Sequence, residues 1–167
     1  MITQKRLKEV LNYNTETGIF TRLISTTIAV KVGDIAGRIK KNGYSEIMVD
    51  SKRYPSHRLA WLYVYGEMPK NEIDHIDGNP RNNSINNLRE CNRFEQHQNR
   101  ASSKSGSSKY LGVYWHKTSN KWAAQIRSNK KSFHLGFFET EESAFNAYCS
   151  AKKLFHTFNP IPREVNL

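Results

Sequence analysis

Apolar residues recur along this chain with two periods, and the places where the period changes mark its elements. Thr3 stands as an N-cap ahead of Leu7, Val10 and Leu11 at helical spacing, so a helix is expected within residues 1–13. The run Asn14-Thr15-Glu16-Thr17-Gly18 reads as a turn. Residues 19–23 and 43–49 then read as short strands that would pair in a small sheet. Residues 57–65, HRLAWLYVY, are strongly apolar over about two helical turns and stop at Gly66-Glu67-Met68-Pro69.

A short strand is expected at residues 72–76, followed by the turn dipeptide Asp77-Gly78 and a loop holding Asn79, Asn82, Asn83, Asn86 and Asn87. Residues 88–91 resume an extended run. Asn92 and Glu95 fit a capping box for a helix to about residue 99 or 100. Residues 101–109, ASSKSGSSK, are small, polar and flexible in composition and read as a linker. Beyond it, strands are expected at 110–115, 122–127 and 132–137, with turns at 118–120 and 128–129. Thr140 caps a final helix with Glu141 and Glu142 in its first turn, where negative charge suits the helix dipole. Ala144, Tyr148, Ala151 and Phe155 form its apolar stripe, and Trp122, Phe133 and Phe137 are expected to pack against it.

Composition bounds this picture. At 167 residues with 37% hydrophobic and 11% aromatic content, two small cores fit better than one deep one. No apolar run reaches the roughly 20 residues of a membrane span, and residues 1–11 lack the uninterrupted apolar core of a secretory signal. The two cysteines, Cys91 and Cys149, are far apart and outside any CxxC pair, which argues against a zinc ribbon or a disulfide scaffold and for a reducing cytoplasm.

Charge adds more. Lys and Arg number 26 against 15 acids, a net charge of +11. Residues 100–138 contain eight basic residues and no Asp or Glu. An acid-free stretch whose aromatics lie in strand-like runs is the footprint of a polyanion binder, and the absence of an amphipathic basic helix favours nucleic acid over lipid.

The candidate chemistry lies at Asp74-His75. Hydrolysing a phosphodiester near neutral pH requires a base to activate water and a hard cation to stabilise charge on phosphate. Histidine titrates in the range of the base, and aspartate supplies an oxygen ligand suited to Mg²⁺ or Mn²⁺. Successive strand residues point to opposite faces, so Asp74 and His75 could not both face the metal in a regular strand; the turn that follows relaxes this, letting metal and base meet one phosphate from different sides.

The ordered set Asp74-His75, Asp77-Gly78, Asn82-Asn83 and Asn87-Leu88-Arg89, within about 45 residues, resembles the HNH endonucleases of phages and mobile introns. That resemblance implies a ββα-metal nuclease with Asp74 as metal ligand, His75 as general base, and Asn87 as the residue tying the loop to the backbone near His75 and fixing the imidazole. His57-Arg58-Leu59 also matches the family, in a structural role. Such enzymes carry a second metal ligand, Asn or His, about one turn into the helix. Here Gln96 stands at that place with His97 beside it, so either completes the site, Gln96 being favoured.

The final third resembles the DNA-binding domain of APETALA-type, ethylene-response transcription factors through Tyr110-Leu111-Gly112-Val113, Lys121-Trp122-Ala123-Ala124-Gln125-Ile126-Arg127, Leu135-Gly136-Phe137-Phe138 and the alanine-bearing helix. In that family a three-stranded sheet lies in the major groove. The matching positions are Tyr114, His116, Gln125, Arg127 and His134, with Lys117, Lys121 and Lys131 as phosphate contacts. Tyr114, His116 and His134 replace family arginines and a tryptophan, so the sequence read must differ. Gln125 and Arg127 share a strand face, which suits adenine and guanine readout.

The expected fold is α+β: a ββα-metal nuclease domain with a small N-terminal sheet (residues 1–100, core 55–100), a linker (101–109), then a three-stranded antiparallel sheet with one helix (110–160). The expected function is a homing-type, phage-like, metal-dependent endonuclease acting on double-stranded DNA in a bacterial cytoplasm, without a small-molecule cofactor or membrane, as a monomer or weak dimer. A DNA-binding regulator with a degenerate nuclease domain is the alternative, and an RNA-directed protein is a weaker one.

Overall fold

The computed structural model describes residues 2–98, 106–156 and 158, without the side chains of Arg93, Phe94 and His97. Helices are mixed with small antiparallel sheets, and the chain divides into two compact units, Met1–Asn92 and Arg93–Leu167.

In the first unit, α1 (Gln4–Val10) starts where Thr3 Oγ1 accepts the Arg6 N–H at 3.2 Å. It ends before Leu11, which is extended and opens β1 (Leu11–Tyr13). The helical period groups Leu7, Val10 and Leu11, but a strand starting at Leu11 buries it as completely and engages its backbone with Arg22 of β2 (Phe20–Arg22). Between the strands Asn14 Oδ1 accepts the N–H groups of Glu16 and Thr17, an Asx turn.

The pairing expected between residues 19–23 and 43–49 does not form. β2 pairs with β1 across a short loop, whose closure costs less than bridging twenty residues. β4 (Ser45–Val49) is instead flanked by β3 (Arg38–Ile39) and β5 (Lys52–Pro55). Neither flanking strand shows apolar alternation, since each lies at the sheet's exposed edge.

The expected apolar helix is α2 (Ser56–Tyr65); Gly66 ends it at φ 85, its N–H reaching the Leu62 carbonyl at 3.0 Å. Leu59 and Leu62 of α2 pack with Leu7, Val10, Leu11, Phe20 and Ile47 in one core. Each such leucine contributes about 1.5–3 kcal/mol by leaving water. β6 (Glu72–His75) and β7 (Leu88–Cys91) form a two-stranded ribbon with Asp74 opposite Arg89 and His75 opposite Leu88. A 3₁₀ turn, Ile85–Asn87, delivers the chain into β7.

The second unit contains α3 (Arg93–Gln98), then β8 (Val113–His116), β9 (Lys121–Ser128), β10 (Lys131–Phe138) and α4 (Glu141–Phe155), with the strands in order β10-β9-β8. The expected end of α3 at residue 99 or 100, linker residues 101–105, and positions 157, 159 and 160 lie outside the described residues. The last expected linker residues are held by the fold: buried Ser108 donates to Glu141 Oε1 at 2.6 Å, and Ser107 Oγ accepts the Trp115 N–H at 2.9 Å.

Thr140 caps α4 by accepting the Ser143 N–H at 3.1 Å. Ala144, Tyr148 and Ala151 lie against Val113, Ala124 and Ile126. Gly112 is the point of closest approach: at φ +77, a Cβ there would sit 2.3 Å from the Tyr148 ring.

A bulge between His134 and Gly136 breaks the period of β10. Phe133 stacks on Phe155 of α4, with ring centroids 4.9 Å apart, but Phe137 does not follow it to the helix side. The expectation that Phe137 packs against the helix is therefore wrong; one added residue turns it onto the opposite face, where it is 45% exposed. Trp122 does pack on the helix side, beside Val113 and Ala144. Among the described residues, no helix is long and apolar enough to cross a membrane.

Candidate functional site

His75 ends β6 and is buried, 4% exposed. Its Nε2 lies 3.1 Å from Asn83 Oδ1. Asn83 turns its Nδ2 toward the Arg81 carbonyl (3.3 Å) and Ser45 Oγ (3.2 Å), so its oxygen faces the ring and His75 donates from Nε2. In a neutral imidazole the basic nitrogen is then Nδ1. The ring also meets His57 and Tyr44 edge-on, at centroid distances of 5.4 and 5.8 Å. Burial, then the nearby His75 and Arg58, push the His57 pKa down to about 4, so His57 is neutral at pH 7.

Asn83 is placed by segments distant in sequence. Tyr13 of β1 donates its hydroxyl to the Asn83 carbonyl at 2.7 Å, and Ser84 Oγ and the Ile85 N–H both reach the Thr15 carbonyl. Gly18, at φ +73, lies so near that a Cβ would come within 2.3 Å of the Asn83 backbone. The β1–β2 hairpin is thereby fastened to the asparagine loop.

Asn87 braces the other side of that loop. Its Oδ1 accepts the Asp77 N–H at 3.0 Å, and its Nδ2 donates to Asp77 Oδ1 (2.9 Å) and the Asn82 carbonyl (2.8 Å). Burial raises the Asp77 pKa, but the Asn79 N–H, the amides of Asn82 and Asn87 and the nearby His75 outweigh it, leaving the carboxyl below its ordinary value. Asn87 thus ties the loop beside His75, while the amide that touches the imidazole is that of Asn83.

Asp74 is buried across the ribbon from Arg89, whose Nε (3.0 Å) and Nη2 (2.8 Å) both contact Oδ2. Among the described residues, no group of three or more His, Cys, Asp or Glu converges as a metal cage. The Asp74 carboxylate is nonetheless a hard oxygen donor of the type that suits Mg²⁺, which keeps several waters and takes other oxygens from substrate phosphate. Gln96 is exposed on α3, and the His97 side chain lies outside the described residues.

In the second unit, register places the nominated side chains together. Tyr114 is opposite Ala123, which is opposite Phe137; His116 is opposite Lys121, and Gln125 opposite His134. With Arg127, opposite Ser132, they form the face turned away from α4. His156 Nε2 donates to the Arg127 carbonyl at 2.9 Å and holds that strand. Lys121 pairs with Glu139 at 2.6 Å, and Lys117 is exposed in the turn after β8. Lys131 stands opposite Ser128, so its register belongs to the helix side, and the structure does not bring it onto the nominated face.

Sequence reasoning missed Asn83, Arg89 and Phe137 as members of these sites. The paired asparagines marked Asn83, and the cross-strand position of Arg89 could have been counted from the Asp-Gly turn. No local signal marks the bulge that turns Phe137, apart from the glycine beside it.

Two protein families match successive stretches of the chain. Residues 54–98 match the model of the HNH endonuclease family, and residues 108–156 match that of the AP2 domain. The chain therefore carries an HNH endonuclease domain followed by an AP2 DNA-binding domain. It is 36% identical to Protein 3.8 of Escherichia phage T7 over 80 residues, which are 47% of this chain and 66% of that protein, just under two-thirds of its length. No solved structure gives a significant match.

Proposed function

We propose that this chain is a metal-dependent DNA endonuclease of the homing, phage-like kind, guided to double-stranded DNA by its AP2-type sheet. The observation that carries the reading is a buried histidine beside a buried aspartate, with its ring orientation held by the Asn83 amide. A solvated structural histidine needs no such support.

His75 Nδ1 takes a proton from the water that attacks phosphorus, and the Nε2–H bond to Asn83 keeps the ring in the basic tautomer as positive charge develops. Asp74, with Gln96 or His97, would hold Mg²⁺ or Mn²⁺, which when bound stabilises charge on the phosphate and the leaving oxygen. Asn87 keeps the loop beside the imidazole in place. Tyr114, His116, Gln125, Arg127 and His134 read base edges, while Lys117 and Lys121 meet phosphates. One such site in a monomer cuts one strand; a dimer cuts both. A bacterial cytoplasm is the compartment this reading implies.

Incubating supercoiled plasmid with the protein tests it. Conversion to nicked or linear DNA that requires Mg²⁺ or Mn²⁺ is expected. DNA binding with no metal-dependent cutting would favour a regulator built on a degenerate nuclease domain, a reading supported by Gln96 standing where the family has Asn or His.

A further inference from the structure

Phe137 presents a large apolar ring where the rest of its surroundings argue for a polar surface. It lies on the sheet face turned away from α4, in the row formed with Ala123 and Tyr114, and remains 45% exposed. Its ring is held between two imidazoles, with centroids 4.9 Å from His116 and 4.7 Å from His134. Ala123, between Tyr114 and Phe137 in this row, is fully buried. A regular β10 would have sent Phe137 to the helix side with Phe133, so its outward position is produced by the bulge at His134–Gly136.

We propose that Phe137 reads the C5-methyl group of a thymine in duplex DNA. This assignment rests on the reading of the sheet as the DNA-facing surface. Charge complementarity identifies the occupant: residues 100–138 contain eight basic residues and no acid, and Arg127 and Lys121 flank the row on the same face. In a major groove the apolar feature on the base edges is the thymine methyl, and phenylalanine is among the side chains that contact it. The imidazoles on either side orient the ring, so little of its freedom remains to be lost on binding. Gln125 and Arg127, one and two rows along, would read neighbouring pairs by hydrogen bonding, giving the face one apolar and two polar determinants.

The test uses the full-length protein and a duplex selected from a random pool by the wild type. Thymines in the bound site are replaced one at a time by deoxyuridine, which lacks only the methyl group. Wild-type affinity is expected to fall roughly fourfold at one position, the worth of one buried methyl group. Phe137→Ala is expected to bind more weakly and to be indifferent to that replacement, with an unchanged melting temperature and salt dependence. Phe137→Leu, which keeps an apolar contact, should retain part of the sensitivity.

Equal wild-type binding to thymine and deoxyuridine duplexes at every position would overturn the proposal. So would a Phe137→Ala variant that stays as sensitive as the wild type, or a loss of DNA bending in that variant without any methyl sensitivity, which marks a wedge between base steps. A wild type that binds no DNA would overturn the reading of the sheet itself, and the methyl assignment with it.

Discussion

His75 and Arg127 carry the two halves of the proposed activity and are held in opposite ways. His75 is buried, its ring tied to Asn83 and edged by His57 and Tyr44. Arg127 has an exposed side chain, and its backbone carbonyl is held by His156 at the end of α4. A group that moves a proton must keep one orientation throughout the reaction, so its surroundings are finished before substrate arrives. A group that reads a base finds its partner only in the complex, so the fold fixes where the strand lies and leaves the side chain open. The first unit is built around a polar network, and the second around a framework that displays a face.

Glycine substitutions should break the two halves separately, with the largest effects. Gly18→Ala forces a Cβ into the Asn83 backbone and should displace the loop behind His75. Cleavage is expected to fall on the order of 100-fold, as for a displaced catalytic group, with DNA affinity unchanged in a filter-binding assay. Gly112→Ala drives a Cβ into the Tyr148 ring and should cost about 3 kcal/mol in the second unit, lowering DNA affinity first. If Gly18→Ala weakened binding as much as cutting, the division of labour between the units would fail.

Asn83→Ala should lower kcat roughly 10- to 100-fold at unchanged KM, the usual effect of losing the partner that orients a catalytic imidazole. Asn83→Asp retains an oxygen acceptor for the His75 Nε2–H and should recover much of the rate. Equal losses in both variants would point to a purely structural role. On the other side of the comparison, Arg127→Ala should cost about 1–3 kcal/mol of DNA affinity and leave the rate at saturating DNA unchanged.

Acid should weaken the first unit. The pKa of His57 falls on folding to about 4, so below pH 6.5 the unfolded chain gains a proton that the native fold does not. Stability is therefore full above that pH and is lost as pH falls toward 4, by at most about 2 kcal/mol at pH 5. Hydrogen exchange at the α2 amides should speed up between pH 7 and 5 beyond the intrinsic change, and His57→Phe should flatten the dependence. A profile for the variant identical to the wild type would remove His57 from the explanation.

How much of this was legible in sequence follows from how far each contact reaches. Asp74, His75 and Asn87 lie within fourteen positions on a ribbon and its turn, so a local pattern carried them. α2, α4 and the three strands of the second unit were visible because their apolar periods run long enough to count. Asn83 reaches Ser45 and, through its carbonyl, Tyr13, and no local pattern reveals partners 38 and 70 positions away. The strand at Leu11 was hidden by a spacing that a helix and a strand start satisfy equally. Phe137 was misplaced because period-two reasoning assumes an unbroken ladder, and one bulge reverses every position after it.

The most direct measurement is a paired assay in which the wild type, Asp74→Ala and His75→Ala are each scored for DNA binding and metal-dependent plasmid cutting in the same reactions. The account predicts that both variants bind as the wild type does, while cutting falls by at least roughly 10²-fold, as expected when a general base or a metal ligand is removed. Undiminished cutting by His75→Ala, at wild-type binding, would contradict it.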